Sequence, residues 1–247
     1  MAINFASATS AVYQVTNAVL DNPTALSTSI WVNPNDKGGG GNGRIWDKRT
    51  VADTQCRLFY WSGSTGILYP AFEVDTNLVN LIQLSDVAVS TQSWSNIIQT
   101  WDGTLNLTGV HIYINGAEVS YSASSSNGTG VAITDAGGIF NIGNKNLAAF
   151  NRACGGVLSE LAIWTSVLST SEILALAKGK IKGLPLQIQP SNLKAYFPLN
   201  DFSENIGATG TGTVRDLSAT GATGTPGFGA GGSSPLGVAE QILSYQP

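Results

Sequence analysis

Charge is scarce in this chain: Asp, Glu, Lys and Arg make up 11% of its 247 residues, against about 25% in an average soluble protein. With a formal net charge of −4 there is no basic stripe to neutralise phosphates, which argues against a nucleic-acid partner. Histidine occurs once, as His111, and that excludes a multi-histidine zinc site and any mechanism needing two imidazoles. The two cysteines, Cys56 and Cys154, lack the close spacing of a metal knuckle or redox pair. They are read as two reduced, buried thiols or as one disulfide, with cytosolic synthesis favouring the thiols. No apolar run approaches the ~18 residues of a membrane helix, so no membrane partner is expected. The opening Met1-Ala-Ile-Asn-Phe-Ala-Ser-Ala8 has neither the basic start nor the apolar stretch of a secretory signal, so export by that route is not expected.

What the chain does contain is apolar residues, at 43%, and 29 glycines. A chain of this length buries roughly 70% of its unfolded surface, enough for a core without a metal or disulfide staple. Short alternating runs recur between Gly, Asn, Asp and Ser clusters, the pattern of an all-β sandwich. The expected strands are Ala11–Val15, Ala25–Val32, Arg44–Lys48, Arg57–Trp61, Gly66–Val74, Leu78–Leu84, Trp94–Trp101, Val110–Ile114, Ala117–Tyr121, Ile139–Ile142, Val157–Trp164 and Leu193–Leu199. That number suffices for two packed sheets.

Asn115-Gly116 supplies the two positive-φ positions of a type I′ turn, which sets Ile114 opposite Ala117 and Ile112 opposite Val119. One face of this hairpin is then apolar from Val110 to Tyr121, while His111, Tyr113, Glu118 and Ser120 share the other, with Ser120 as the expected cross-strand partner of His111. One short helix is specified by the capping box Ser169-Thr-Ser-Glu172, by Ile173, Leu174, Leu176 and Ala177, and by Gly179 as a left-handed stop. Beyond it Pro185, Pro190 and Pro198 punctuate an extended stretch, and Gly, Ala, Thr and Ser dominate from Gly207 to Ser234. The organisation expected is a sandwich over 1–183 and a Gly/Thr/Ser-rich extension over 184–247. That extension adds strands to the sandwich or docks on a neighbouring subunit.

Several segments resemble a known family. Trp94-Ser-Asn-Ile-Ile-Gln-Thr-Trp-Asp-Gly103, Val110-His-Ile-Tyr-Ile-Asn-Gly116, Phe140-Asn-Ile-Gly143 and Gly156-Val-Leu-Ser-Glu-Leu-Ala-Ile-Trp164, followed by Val167-Leu-Ser-Thr-Ser-Glu-Ile-Leu174, are similar to laminin-G-like domains of the concanavalin A-like lectin/glucanase superfamily. Asn4-Phe5 and Ser27-Thr-Ser-Ile-Trp-Val-Asn-Pro34 resemble the opening strands of the same domains. The resemblance implies a two-sheet antiparallel jelly roll with a concave face and loops along one rim. Leu176-Ala-Lys-Gly179, Ile188-Gln-Pro-Ser-Asn-Leu193 and Tyr196-Phe-Pro-Leu199 resemble the sequence that follows this unit in bacteriophage virion-associated proteins. That second resemblance implies a non-enzymatic structural role on a virus particle, such as capsid decoration, assembled in the host cytoplasm. Its partners would be major capsid or other virion proteins and further copies of the chain. The alternative is a carbohydrate-binding, lectin-like module.

Glucanases on this sandwich place acids at alternate positions of one strand, two of them flanking a glycosidic bond about 5–5.5 Å apart. The nearest run here, Glu73-Val-Asp-Thr-Asn77, ends in Asn77, so hydrolysis is not expected and Glu73 and Asp75 read as solvated carboxylates. No Gly-x-Ser-x-Gly elbow is present. The run Gly38-Gly-Gly-Gly-Asn-Gly43 lacks the Gly-Lys-Ser/Thr ending of a phosphate loop, which leaves a flexible inter-strand loop. Trp46, Tyr60, Trp61 and Tyr69 are candidates to stack on sugar rings, against a role in core packing or subunit contact. Laminin-G-like domains often hold calcium at the rim, which makes calcium the possible cofactor here. Asp36, Asp47 and Asp102 are the candidate ligands among the loop-adjacent acids, which also include Asp53 and Asp135.

Overall fold

The computed structural model describes residues 2–5, 11–16, 18–50, 52, 54–63, 67–145, 152–181, 183–199, 214–219, 223–228 and 236–238. Most of the Gly/Ala/Thr/Ser-rich stretch 207–234, and Asp53, lie outside them. The described strands are, in chain order, β1 (Ala2–Phe5), β2 (Ala11–Val15), β3 (Leu26–Pro34), β4 (Arg44–Arg49), β5 (Gln55–Ser62), β6 (Tyr69–Val74), β7 (Leu81–Leu84) and β8 (Ser95–Trp101). They continue as β9 (Val110–Ile114), β10 (Ala117–Glu118), β11 (Phe140–Ile142), β12 (Gly156–Trp164), β13 (Leu193–Phe197), β14 (Val214–Arg215), β15 (Thr223–Phe228) and β16 (Leu236–Val238), with one helix, α1 (Thr170–Ala177), after β12.

These strands form two eight-stranded antiparallel sheets. The first runs β10-β9-β8-β3-β12-β1-β16 with β13 also pairing with β12, and the second runs β14-β15-β2-β11-β4-β5-β6-β7. The all-β jelly-roll expectation therefore stands. Alternation delivers the core: Ile30, Ile97, Ile112, Leu161, Ile163 and Phe197 of the first sheet meet Trp46, Phe59, Trp61, Phe72 and Phe140 of the second. Each such side chain contributes about 1.5–3 kcal/mol by leaving water. Cys56 and Cys154 are both free and buried, and burial pushes each thiol up to about 12, so both stay protonated and unreactive near neutral pH.

The hairpin forms as its turn dictates. Asn115 has φ 51° and Gly116 φ 84°, and Ile114 lies opposite Ala117. The partner expected for His111 does not hold: its Nδ1 lies 2.6 Å from Glu118 Oε1, a diagonal contact, while Ser120 bonds Asp86 instead. The helix begins at its capping box, with Glu172 N–H donating to Ser169 Oγ at 3.4 Å and Ser169 N–H donating to Glu172 Oε2 at 2.7 Å. Its end differs from expectation. Lys178 is the C-cap in a right-handed conformation and donates to the Ala175 carbonyl, and no left-handed glycine is used there. A helix of eight residues is too short to stand alone, and it is held by Ile173 and Leu176, buried with Ile98, Trp164 and Tyr196 on the outer side of the first sheet.

The Gly38–Gly43 run is a tied turn rather than an open loop. Gly39 donates to the Ala153 carbonyl at 2.9 Å and Gly43 to the Lys37 carbonyl at 2.9 Å. A Cβ at Gly38, where φ is +76°, would lie 2.2 Å from the Ala153 oxygen, so close backbone approach explains the glycine.

Candidate functional site on the outer face of the second sheet

Register brings Gln14, Asn141, Asp47, Leu58, Glu73 and Ile82 into one row across β2, β11, β4, β5, β6 and β7. A second row holds Arg44, Tyr60, Ala71 and Leu84. Trp46, Phe59, Trp61, Phe72 and Phe140, which neighbour these residues along their strands, are in the core, so both rows face outward.

The side chains on these rows form a connected polar ladder. Gln14 Nε2 donates to Asn141 Oδ1 at 3.0 Å, and Asn141 Nδ2 donates to the Asp47 carbonyl at 3.3 Å. The Asp47 carboxylate, fully buried, sits between two guanidiniums, with Arg49 Nε 2.7 Å from Oδ1 and Arg44 Nε 3.4 Å from Oδ2. Arg44 Nη2 donates to Gln55 Oε1 at 3.0 Å, and Gln55 Nε2 donates to Asp75 Oδ1 at 3.1 Å. Asn80 Nδ2 then joins Glu73 Oε1 at 2.9 Å and Asp75 Oδ1 at 3.1 Å. The Arg44 guanidinium lies 4.9 Å from the centre of the Tyr60 ring, and Leu58, Tyr60 and Ala71 make a small apolar patch beside the ladder.

The electrostatics follow from this crowding. Burial, then the charge and hydrogen bond of Glu73, push Asp75 up to about 7 against the opposing donor from Gln55. Burial and the facing Glu73 push the Tyr60 hydroxyl up to about 12. Leu58 and Ala71 have no exposed surface, so a ligand meets the half-buried Gln55, Glu73, Asp75 and Asn80. These fixed carboxamide and carboxylate groups suit a hydroxyl-rich ligand, each hydroxyl of which can donate to a carboxylate and accept from an amide.

The residues proposed from sequence are divided by this geometry. Tyr60 and Asp47 lie on the ladder, and Glu73 and Asp75 belong to it instead of being isolated solvated acids. Trp46 and Trp61 are fully buried: Trp46 stacks on Phe140 at 5.4 Å, and Trp61 Nε1 donates to the Cys154 carbonyl at 2.9 Å. Neither presents a ring face to a sugar, because both point into the inter-sheet core. Tyr69 is half-buried at the far end of β6, opposite Ser62.

The three candidate cation ligands do not converge. Asp36 Oδ1 accepts from Gly38 N–H at 2.7 Å beyond the end of β3, and Asp102 Oδ1 accepts from Thr104 N–H at 2.8 Å beyond the end of β8. Because β3 and β8 pair antiparallel with Leu26 opposite Trp101 and Val32 opposite Ser95, these two carboxylates lie at opposite ends of the first sheet. Asp47 belongs to the second sheet and is neutralised by arginines. Asp135 pairs with Arg57 in the interior. Among the described residues no three His, Cys, Asp or Glu gather as a metal site.

Sequence reading missed Arg44, Arg49, Gln55 and Asn80. The available signal was Arg44-Ile-Trp-Asp-Lys-Arg49, four charges within six residues in a chain otherwise poor in charge.

A native heptameric SAP-like pentraxin from Limulus polyphemus is similar over 72% of this chain and 81% of its own, with a TM-score of 0.55 and 16% identity. A putative carbohydrate binding protein from Bacteroides ovatus is similar over 91% of this chain, with a TM-score of 0.59 and 16% identity, and this chain covers 57% of it. At these identities the likeness is one of fold. Among curated protein sequences none matches this chain. Residues 7–174 match the laminin-G-type model of the concanavalin A-like lectin/glucanases superfamily, and the chain belongs to that superfamily.

Proposed function

We propose that this protein is a carbohydrate-binding module that grips a glycan on the outer face of the second sheet. The observation that carries this reading is the ladder from Gln14 to Asn80, in which alternating donors and acceptors hold one another in place and Gln55, Glu73, Asp75 and Asn80 keep part of their surface exposed. The superfamily and the fold it shares with a putative carbohydrate binding protein support it. Binding is favoured over hydrolysis because Glu73 and Asp75 converge on one amide nitrogen, that of Asn80. They face each other instead of flanking a bond. The virion-surface role anticipated from residues 176–199, with capsid proteins as partners, rests on that resemblance alone. Calcium is a separable part of the proposal, since the ladder offers its contacts without it.

A glycan array, run with and without calcium, tests the reading together with a reducing-sugar assay. The expected result is retention of a restricted glycan set, no sugar release, and about tenfold weaker binding by Glu73→Gln and Gln55→Ala, each of which removes hydrogen bonds to a ligand. An array at background under both conditions, or binding that survives both substitutions, overturns the proposal.

A further inference from the structure

A separate cleft lies at the edge where β9 and β10 of the first sheet approach β7 of the second. The segment after β10 runs along β7 through the bridges Ser85 to Tyr121, Ile82 to Ser126 and Val79 to Thr129, strapping this side of the sandwich. The turn before β9 is tied to the strap: Gly128 N–H donates to the Leu105 carbonyl at 2.8 Å and Leu107 N–H to Asn127 Oδ1 at 2.7 Å. Between strap, turn and hairpin is a cleft of about 500 Å³ lined by Gln83, Leu107, Val110, His111, Glu118 and Tyr121 among others, within the size range of small-molecule sites.

Its polar groups are unbalanced. The Tyr121 hydroxyl donates to Glu118 Oε1 at 2.9 Å and accepts from Ile112 N–H at 3.0 Å, and His111 Nδ1 meets the same Oε1 at 2.6 Å. Both aromatic groups thus converge on one carboxylate oxygen, Oε1, and leave Oε2 facing the cleft's solvent. Gln83, 3% exposed, forms part of the cleft wall, and its Oε1 is buried without a hydrogen-bond partner. A buried acceptor left unmade costs free energy and calls for a donor. No Lys or Arg lines the cleft, so Glu118 has no permanent countercharge there, and Leu107 and Val110 offer an apolar wall.

We propose that this edge cleft binds a small amphipathic organic cation, its ammonium group donating to Glu118 and Gln83 and its apolar body resting on Leu107 and Val110. Two acceptors without donors, Glu118 Oε2 and Gln83 Oε1, beside an apolar wall suit one charged donor group on a hydrocarbon body better than a ring of hydroxyls, each of which must both donate and accept. The site is independent of the sheet-face ladder, which shares none of these residues.

The test titrates the full chain with phenethylammonium, with its neutral analogue phenethyl alcohol, and with glucose, by ligand-observed NMR and calorimetry at neutral pH. The ammonium probe is expected to bind about tenfold more tightly than the alcohol, because its hydrogen bonds are charge-assisted. Glu118→Gln removes that preference, and since the side chain is 43% exposed the melting temperature stays at the wild-type value. Gln83→Leu weakens the ammonium probe about threefold or more. Glu73→Gln leaves it unchanged, whereas loss of the probe in that variant would move the binding to the sheet face and overturn the proposal. Equal affinity for amine and alcohol, a preference for glucose, an unaltered Glu118→Gln profile, or no binding by any probe overturns it as well.

Discussion

The two sheets share one core but close their outer faces in opposite ways. The first sheet turns Ile98, Ala162, Trp164, Leu193 and Tyr196 outward and covers them with Leu168, Ile173, Leu176 and Ile188 of its own chain. The second turns outward two arginines, a buried carboxylate, an acid pair and their amides, linked from strand to strand. An apolar outer face must be covered by the chain itself, and helix α1 exists to do this. On the second sheet the arginines and Asp47 are buried but neutralise one another, and it is at the half-buried Gln55, Glu73, Asp75 and Asn80 that specificity can be built. Stability should therefore be concentrated on the first outer face and recognition on the second.

Trp164→Ala should have the largest effect. The side chain is fully buried and its Nε1 donates to the Ile188 carbonyl at 2.7 Å. Truncation removes the anchor of both the helix and the 184–187 turn, at an expected cost of about 3–5 kcal/mol, read by chemical denaturation. Asp47→Ala comes next, at about 3 kcal/mol, because it leaves Arg44 and Arg49 buried without their counter-ion. Replacing Arg44, Asp47 and Arg49 together by Met, Leu and Met separates stability from recognition. The expected outcome is stability equal to or above wild type with glycan binding gone. A triple variant that both folds poorly and loses binding would erase the contrast between the faces.

A smaller effect is expected at the start of α1. Ser169→Ala removes the N-cap acceptor and should cost about 1 kcal/mol, seen as a modest fall in the denaturation midpoint. Binding at the sheet-face ladder should be unaltered, since α1 lies against the other sheet.

Most strands were legible because alternation and turn chemistry agree, as at Asn115-Gly116, and the capping box located the helix. The missed strands carried little signal. β1 has four residues, and β15 reads Thr-Gly-Thr-Pro-Gly-Phe, which pairs with β2 through backbone groups without an apolar period. The ladder was illegible for a different reason. Asp47 and Arg49 alternate, but Arg44 lies three residues before Asp47, and it is the register shift between Arg44 and Trp46 that turns Arg44 outward with them. A bulge inserts a residue and resets the face, which spacing alone does not announce. The same shift near Arg44 sends Ile45 and Trp46 both into the core, so a tryptophan suited to sugar stacking became a core residue. Likewise His111 reached Glu118 diagonally, a contact that a directly opposed pair does not anticipate.

The subtlest contrast between the faces is in pH. Asp75 is held up to about 7 by burial and by Glu73, well above the ordinary carboxylate value of about 4. Between those two values the folded protein holds a proton that the unfolded chain has released. Stability from this group is accordingly complete below about pH 4 and is lost as pH rises through about 7. Asp75→Asn keeps the acceptor for Asn80 Nδ2 but removes the titration, so its melting temperature should lie flat across that window while wild type declines. Substitutions under α1, such as Leu176→Ala, should lower the whole curve without changing its slope. Differential scanning calorimetry across that pH window measures both, and a wild-type slope that persists in Asp75→Asn would assign the proton to another group and remove the acid pair from the account of this face.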